Sequence, residues 1–509
     1  MIAEIWKQHE KEIVMHNDEM NLVESIDRYA INTPNKLALY SQDGFLSKFT
    51  YKEFMENYNQ FANLLSKLKL KENSKVFIFL PKCPEFYFCF LGAIKSGNTA
   101  IPLFEAFQED GLELRLNRGD ADVLVTNKEL SKRISKEIHK KIPTLKHILI
   151  IDEDKYKKDI KSQPKEFQAV LKNKMDTALM IFTSSTAGTP VAGIEIPHYA
   201  LVQQCYTAKL ALKLNENSRY WCTAHPGWVT GSVYGIIAPF AIGCSVYTYN
   251  PHFDTPKWIE FIKNNRIDNI YTAPTALRLL KPDIKKSDLS LVKNISSVGE
   301  ALTGAVFSHY KKLGIEITDT YWQTETGAIV IASWDDKIEG SLGKPIPGIT
   351  AKLINETIAL RPDFPALMTG IYKHEKMYKS YFKDGWFTTK DMAEIKNNHI
   401  FFKQREDDII KTSGERVSPI EIESILMKHD SVKEAAAIGV PDEIKGQIIK
   451  AFIVLNKNYN PSDELKQELS MFVKQHYAGH SYPKIIEFIK QLPKTNSGKI
   501  IRMKLREGK

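Results

Sequence analysis

One feature constrains this chain more than any other: short apolar runs alternate with stretches of helical length. Val76-Phe77-Ile78-Phe79-Leu80 is an unbroken apolar run, punctuated by Pro81 and Pro84. Such a run reads as a buried strand, and Glu85 to Ser96 then reads as an apolar helix. Further strand candidates are Asp122 to Thr126, His147 to Ile151, Ala178 to Thr183, Asn269 to Thr272 and Ile295 to Val298. Strands alternating with helices predict an α/β fold with largely parallel sheets.

Near residue 400 the texture changes. Lys403-Gln404-Arg405-Glu406-Asp407-Asp408 is a polar, charged run. After it, Ser418-Pro419-Ile420-Glu421 has the form of a capping box with Pro at the first helical position, which predicts a helix start. Strands Ala435 to Val440 and Ala451 to Leu455 follow, then a helix from Asp463 to about Gln475. The expected organisation is a large multi-subdomain α/β domain over 1–404, a hinge over 405–408 and a small α+β domain over 409–509.

Composition narrows the function classes. The 509 residues carry 70 Lys plus Arg against 61 Asp plus Glu, a net charge of +9. Spread over this length, that charge suits an anionic small molecule and does not argue for nucleic acid. Five cysteines, none in a C-x-x-C pair, fit reduced thiols better than zinc or a disulfide framework. The first 20 residues have no apolar core, and the apolar stretch from Tyr234 to Tyr247 is shorter than the roughly 20 residues a bilayer needs. The expected location is the cytoplasm.

Four motifs carry chemistry. Thr183-Ser184-Ser185-Thr186-Ala187-Gly188-Thr189-Pro190 follows a strand, and its hydroxyls and turn N–H groups suit an anion nest. It lacks the Walker spacing, which argues against a P-loop enzyme. Asp319-Thr320-Tyr321-Trp322-Gln323-Thr324-Glu325-Thr326-Gly327 puts two aromatics, hydroxyls and two carboxylates together; a carboxylate beside hydroxyls suits Mg²⁺, and Tyr321 suits a base. Asp391, Arg405 and then Ser413-Gly414-Glu415-Arg416 offer groups for a ribose diol and a phosphate. Finally, Lys494 to Lys499 is a Gly-containing loop with a terminal cation, in a basic tail.

In this order the motifs resemble those of adenylate-forming enzymes of the acyl-CoA synthetase superfamily, most closely the AMP-forming acetyl-CoA synthetases of bacterial type. Ala273-Pro274-Thr275, Ser297-Val298-Gly299-Glu300 and Gly343 to Gly348 add to the match. The resemblance implies two steps on ATP, a carboxylic acid and coenzyme A, with Mg²⁺ as cofactor and small molecules as the only partners. Lys499 matches the adenylation lysine and Asp407 the hinge residue about which the small domain turns. Thr183, Ser184, Ser185, Thr186 and Gly188 match the phosphate loop. Gly299 and Glu300 would flank the adenine, Tyr321 would stack on it, and Ala301 belongs to the same ATP/AMP-binding set. Asp319, Thr320, Gln323 and Thr324 complete the nucleotide set, with Thr324 at a phosphate. Glu325 would hold Mg²⁺, Asp391 the ribose with Arg405 beside it, and Arg416 a phosphate. Ser413 and Gly414 would lie near the pantetheine.

Val229, Thr230, Val298 and Trp322 match the acetate pocket, and the indole fills volume that several methylenes would need. Acetate is the expected acid, propionate next. Some positions depart from the family pattern: Ser185, Ala187, Val191 and Ala192 in the phosphate loop, Lys390 where Gly precedes Asp391, and His225 where Asp is usual. An adenylating enzyme for another acid or for a carrier-protein thiol, and a non-catalytic relative, stay open as alternatives.

Overall fold

In a computed structural model of the chain the described residues are 2–182, 192–251, 253–300, 302–405, 408, 410–412, 415–417, 419–442, 446–476, 482–494 and 500–507. Packing groups them into two units: the chain up to 350 with Arg361–Phe387, and Ala351–Leu360 with Thr388 onward.

The first unit is built on two sheets. The seven-stranded sheet has the order Gly370–Ile371, Gly193–Pro197, Thr177–Phe182, Thr99–Leu103, Lys75–Phe79, Val123–Thr126, His147–Ile150. Its last five strands are mutually parallel. The expected strand at 76–80 is Lys75–Phe79, and the apolar helix that follows is Pro84–Lys95, with Pro84 in its first turn. The helix is hydrophobic all round because it is buried, as such helices are.

The nine-stranded sheet has the order Lys344–Pro345, Ile331–Ala332, Thr318–Tyr321, Asn294–Ser297, Asn269–Thr272, Arg219–Cys222, Ser245–Tyr249, Leu37–Gln42, Leu46–Thr50. From Thr318–Tyr321 to Leu37–Gln42 it is parallel, in the register Thr272↔Ser297 and Ser297↔Asp319. A core around Trp221, Phe261, Ile270, Ile295 and Tyr310 fixes the helices against it. The apolar stretch from Tyr234 is a π-helical turn, Val233–Ile237, then a short helix, Ala238–Ile242, ended by Gly243, and the strand Ser245–Tyr249.

The second unit pairs Trp386–Lys396 with His399–Arg405, in the register Asp391↔Arg405 to Lys396↔His399. Lys403, Gln404 and Arg405 therefore belong to a strand rather than a loop. A three-stranded sheet, Val432–Asp442, Gly446–Leu455 and Ile485–Phe488, packs with helices Pro419–Leu426 and Asp463–His476 around Ile422, Leu426, Ile453 and Leu469. The helix predicted at 418–421 starts at Pro419; Ser418 lies outside the described residues. All five cysteines are buried and unpaired. Among the described residues no helix is long and apolar enough to cross a membrane.

Candidate active site

Parallel strands deliver their following loops to one edge, and in open α/β sheets that carboxyl edge is where ligands bind. At this edge of the nine-stranded sheet emerge Thr223 to Trp228, Ala273-Pro274-Thr275, Val298-Gly299-Glu300 and Trp322 to Glu325. Four motifs scattered over about a hundred residues of sequence thus meet in space. Gly299 turns out of its strand at φ +92°, a conformation that favours glycine. Thr275 Oγ1 donates to the Glu300 carboxylate at 2.8–2.9 Å, joining the second loop to the third. Arg278 stands 3.8 Å from the same carboxylate.

The residues expected to bind nucleotide divide into two groups. Asp319 and Thr320 are buried in the sheet and hydrogen-bonded to neighbouring protein groups. Ser297 Oγ donates to Asp319 Oδ1 at 2.5 Å and the Thr320 N–H donates to it at 3.1 Å. Burial pushes the Asp319 carboxyl up to about 7. Tyr321, Gln323, Thr324 and Glu325 follow as the strand ends, and Tyr321 and Trp322 are buried while Glu325 is half-buried. Thr326 Oγ1 closes the turn by accepting from the Gln323 N–H at 3.0 Å. The Tyr381 hydroxyl donates to Glu325 Oε1 at 3.0 Å, and the Met368 N–H donates to the Glu325 carbonyl at 2.9 Å. Gly327 is at φ +63°, and a Cβ there would stand 2.0 Å from the Ala366 carbonyl oxygen, so no larger residue fits the turn.

Val229 and Thr230 open a short helix, Val229–Ser232, that runs straight into the π-helical turn. A Cβ on Gly231 would meet the His225 carbonyl at 2.2 Å, and Ser232 Oγ donates to the Pro226 carbonyl at 2.5 Å. His225 accepts the Gly227 N–H at Nδ1, 2.9 Å away, and its ring lies edge-on to Phe104. Burial first, and the nearby Lys82 cation second, hold its pKa well below the ordinary range, so the ring is neutral. Burial also lowers Lys82 to about 8, and its ammonium donates to the Thr223 carbonyl at 2.8 Å.

In the second unit, Asp391 and Arg405 face each other across one strand pair, 3.7 Å apart. Lys390 adopts φ +61°, the left-handed region. The position where the resembled enzymes carry Gly is therefore one whose backbone asks for it. Arg416 lies on strand Glu415–Val417, paired with Lys411. Thr183, Ser184, Ser185, Thr186, Gly188, Ala301, Asp407, Ser413, Gly414 and Lys499 lie outside the described residues.

Residues 26–363 match the family described as AMP-binding enzyme, and residues 421–499 match its C-terminal domain. The chain belongs to the AMP-binding enzyme family. An acetyl-coenzyme A synthetase of Bacillus subtilis is 39% identical over 95% of this chain and 89% of its own length. An uncharacterized acyl–CoA ligase of the same organism is 31% identical over 96% of both chains. A solved anthranilate CoA ligase, in complex with anthranoyl-AMP, superposes with a TM-score of 0.87 at 27% identity, covering 96% of this chain and 97% of that one. A Brucella canis acyl-CoA synthetase superposes at 0.74 and 28% identity, covering 100% and 97%. These relatives put the chain among the adenylate-forming acyl-CoA ligases, and the resemblance and fold class expected from the sequence are borne out.

Reading the sequence misses several residues that hold this family's motifs in place. Tyr381 bonds Glu325 from 56 residues further along. Tyr234 and Tyr271 both touch Trp322. Tyr234 sits in an apolar run and Tyr271 in a short strand, where a tyrosine reads as core, and Tyr381 stands among charged residues, so none of the three hydroxyls gives a local signal.

Proposed function

We propose that this chain is an ATP-dependent, AMP-forming acid–thiol ligase for a short-chain carboxylate, acetate first and propionate next. In the first step a carboxylate oxygen attacks the α-phosphorus of ATP and pyrophosphate leaves. In the second the thiol of coenzyme A attacks the acyl carbonyl and AMP leaves. The observation that carries the choice of acid is Trp322. Its indole is 8% exposed and held from two sides, so it occupies volume that a longer acyl chain would need. The 39% identical acetyl-coenzyme A synthetase of Bacillus subtilis supports the same acid.

The residue roles follow the motif matches. Val229, Thr230 and Val298 line the acid's site with Trp322. Gly299, Glu300 and Tyr321 take the adenine, Thr324 a phosphate, and Asp391 with Arg405 the ribose. Thr183 to Gly188 and Lys499 meet the phosphates in the first step. Arg416 approaches phosphate, and Ser413 with Gly414 serves the thiol step after a turn about Asp407. No group of three or more acidic, His or Cys side chains suited to a metal occurs among the described residues. A single half-buried carboxylate, Glu325, beside hydroxyls fits Mg²⁺, which leans on substrate phosphates more than on protein cages. Bound there, Mg²⁺ would offset charge on the phosphates. Five unpaired, buried cysteines fit a reducing compartment, the cytoplasm.

The test is pyrophosphate release with acetate, propionate, butyrate and hexanoate, with and without coenzyme A, on the parent and on Trp322→Gly. The parent should favour two or three carbons. The variant should move toward four to six, since each methylene given an apolar berth contributes about 0.8 kcal/mol and two or three shift specificity roughly 10- to 100-fold. A parent that prefers hexanoate, or a variant with an unchanged profile and a lower melting temperature, would overturn the choice of acid. One equivalent should be released without coenzyme A, and multiple-turnover release that coenzyme A does not stimulate would point to another thiol acceptor.

A further inference from the structure

The indole of Trp322 belongs to an oriented hydrogen-bond chain. Its Nε1–H donates to the Tyr271 hydroxyl at 3.1 Å. Tyr271 lies 2.8 Å from Thr320 Oγ1, and Thr320 Oγ1 donates to the Ser297 carbonyl at 2.7 Å. A hydroxyl has one proton to give. Thr320 spends its proton on Ser297, so Tyr271 must donate to Thr320, which leaves the Tyr271 oxygen as acceptor for the indole. One proton arrangement satisfies every member, and the indole is its first donor.

Packing completes the brace. The Tyr234 ring meets Trp322 at 5.0 Å and 85°, and meets Tyr271 at 5.6 Å and 85°, both edge-to-face. The Tyr234 hydroxyl is itself fixed: it accepts the Ile329 N–H at 2.9 Å and lies 2.7 Å from Thr207 Oγ1. The chain from Trp322 ends at Ser297, the residue before Val298. Tyr234 sits in the π-helical turn that follows Val229 and Thr230. The brace therefore links the three segments that carry the four acyl-pocket residues.

We infer that Tyr271 is a positioning residue for acid length: through its hydroxyl it fixes the plane of the Trp322 indole, so pocket depth is set by this bonded arrangement and not by the bulk of the indole alone. The inference rests on Trp322 lining the acyl pocket. Replacing Tyr271 by Phe keeps the ring but strands a buried indole N–H, which must turn to find another acceptor. A turned indole no longer closes the pocket at two carbons.

The test is a double-mutant cycle in the full-length protein, with kcat and KM for acetate and butyrate on the parent, Tyr271→Phe, Trp322→Phe and the double variant. Tyr271→Phe should raise the butyrate-to-acetate ratio of kcat/KM by about 3- to 10-fold, the span of one hydrogen bond, mainly through KM. In the Trp322→Phe background the same change should leave the ratio alone. The Trp322 indole N–H, assigned in nitrogen-15 spectra by its loss in Trp322→Phe, should exchange slowly in the parent and at least tenfold faster in Tyr271→Phe. An equal shift in both backgrounds, or an unchanged ratio with the indole released, would overturn the role of Tyr271. If Trp322→Phe leaves the acid profile untouched, the pocket reading fails first and by itself. Should Tyr271→Phe not fold, exchange in the parent decides, since an indole N–H exchanging at an exposed rate is not held by Tyr271.

Discussion

Asp319 shows how a single residue's surroundings divide a motif into parts. Its carboxyl accepts two hydrogen bonds, yet burial outweighs them and carries its pKa from an ordinary 3.8 up to about 7. The folded state therefore holds a proton that the unfolded chain gives up near pH 4. The sign follows: this stabilisation is fully present below about pH 4 and is lost as pH rises through about 7. Asp319→Asn, which cannot ionise, should gain on the parent by a few kcal/mol across that window, at roughly 1.4 kcal/mol per pH unit. Urea or thermal midpoints of both proteins at pH 4.5, 6, 7.5 and 9 check it, and two parallel profiles would sink it. Lys390 makes the complementary point. Its identity reads as a departure from a family pattern, and only its φ of +61° says what the departure costs, about 1–2 kcal/mol for a residue with a Cβ.

At the scale of elements, the helix Ala200–Leu210 holds the loop after Thr318–Tyr321 with two buried amides. Gln203 Nε2 donates to the Ile329 carbonyl at 3.1 Å, and its Oε1 accepts the Ala366 N–H at 3.2 Å. Gln204 Nε2 donates to the Gly327 carbonyl at 3.1 Å. Gln203→Leu keeps the volume and leaves a buried carbonyl and a buried N–H without their partner. The expected loss is about 2–6 kcal/mol, at roughly 1–3 for each of the two stranded groups, read as a drop in melting temperature; a change within experimental error would mean the loop finds other partners. Such ties also mark the limit of what the sequence makes legible. Lys75–Phe79, Pro84–Lys95 and Asn269–Thr272 are visible because an apolar run bounded by Pro or polar residues is a local signal. The strand-then-motif order is visible too, since 273–275, 298–300 and 322–325 each follow a strand of the nine-stranded sheet. The bonds of Tyr234, Tyr271, Gln203 and Tyr381 are not, because each depends on a partner dozens of residues away. Tyr271 pairs with a threonine 49 positions on.

At the scale of the whole molecule, one chain must serve two chemistries that want different groups near the acid. Adenylation needs a cation where charge builds on phosphorus, and thioester formation needs that space for a thiol. The described residues on either side of the basic segment that ends in Lys499 are well tied within the second unit. Lys494 pairs with Ile500, the Ile501 N–H donates to the Pro493 carbonyl at 2.8 Å, and Lys494 reaches Glu434 at 2.8 Å. Just beyond, Arg502 grips Glu423 at 2.7 Å and Asp408, the neighbour of Asp407, at 3.3 Å. Lys494 and Ile500 to Arg502 are thereby bonded within their own unit, down to the residue next to the proposed pivot. If that unit presents Lys499 only for the first step, the two half-reactions separate cleanly on mutation. Lys499→Ala should cut acyl-AMP and pyrophosphate formation by at least 100-fold, as loss of a charge-assisted contact worth about 1.5–3 kcal/mol in the ground state and more in the transition state implies. Thioester formation from supplied acyl-AMP and coenzyme A should stay within about threefold of the parent. Stopped assays of each half-reaction decide the matter, and an equal loss in both would mean that Lys499 supports the fold or a shared step and not adenylation alone.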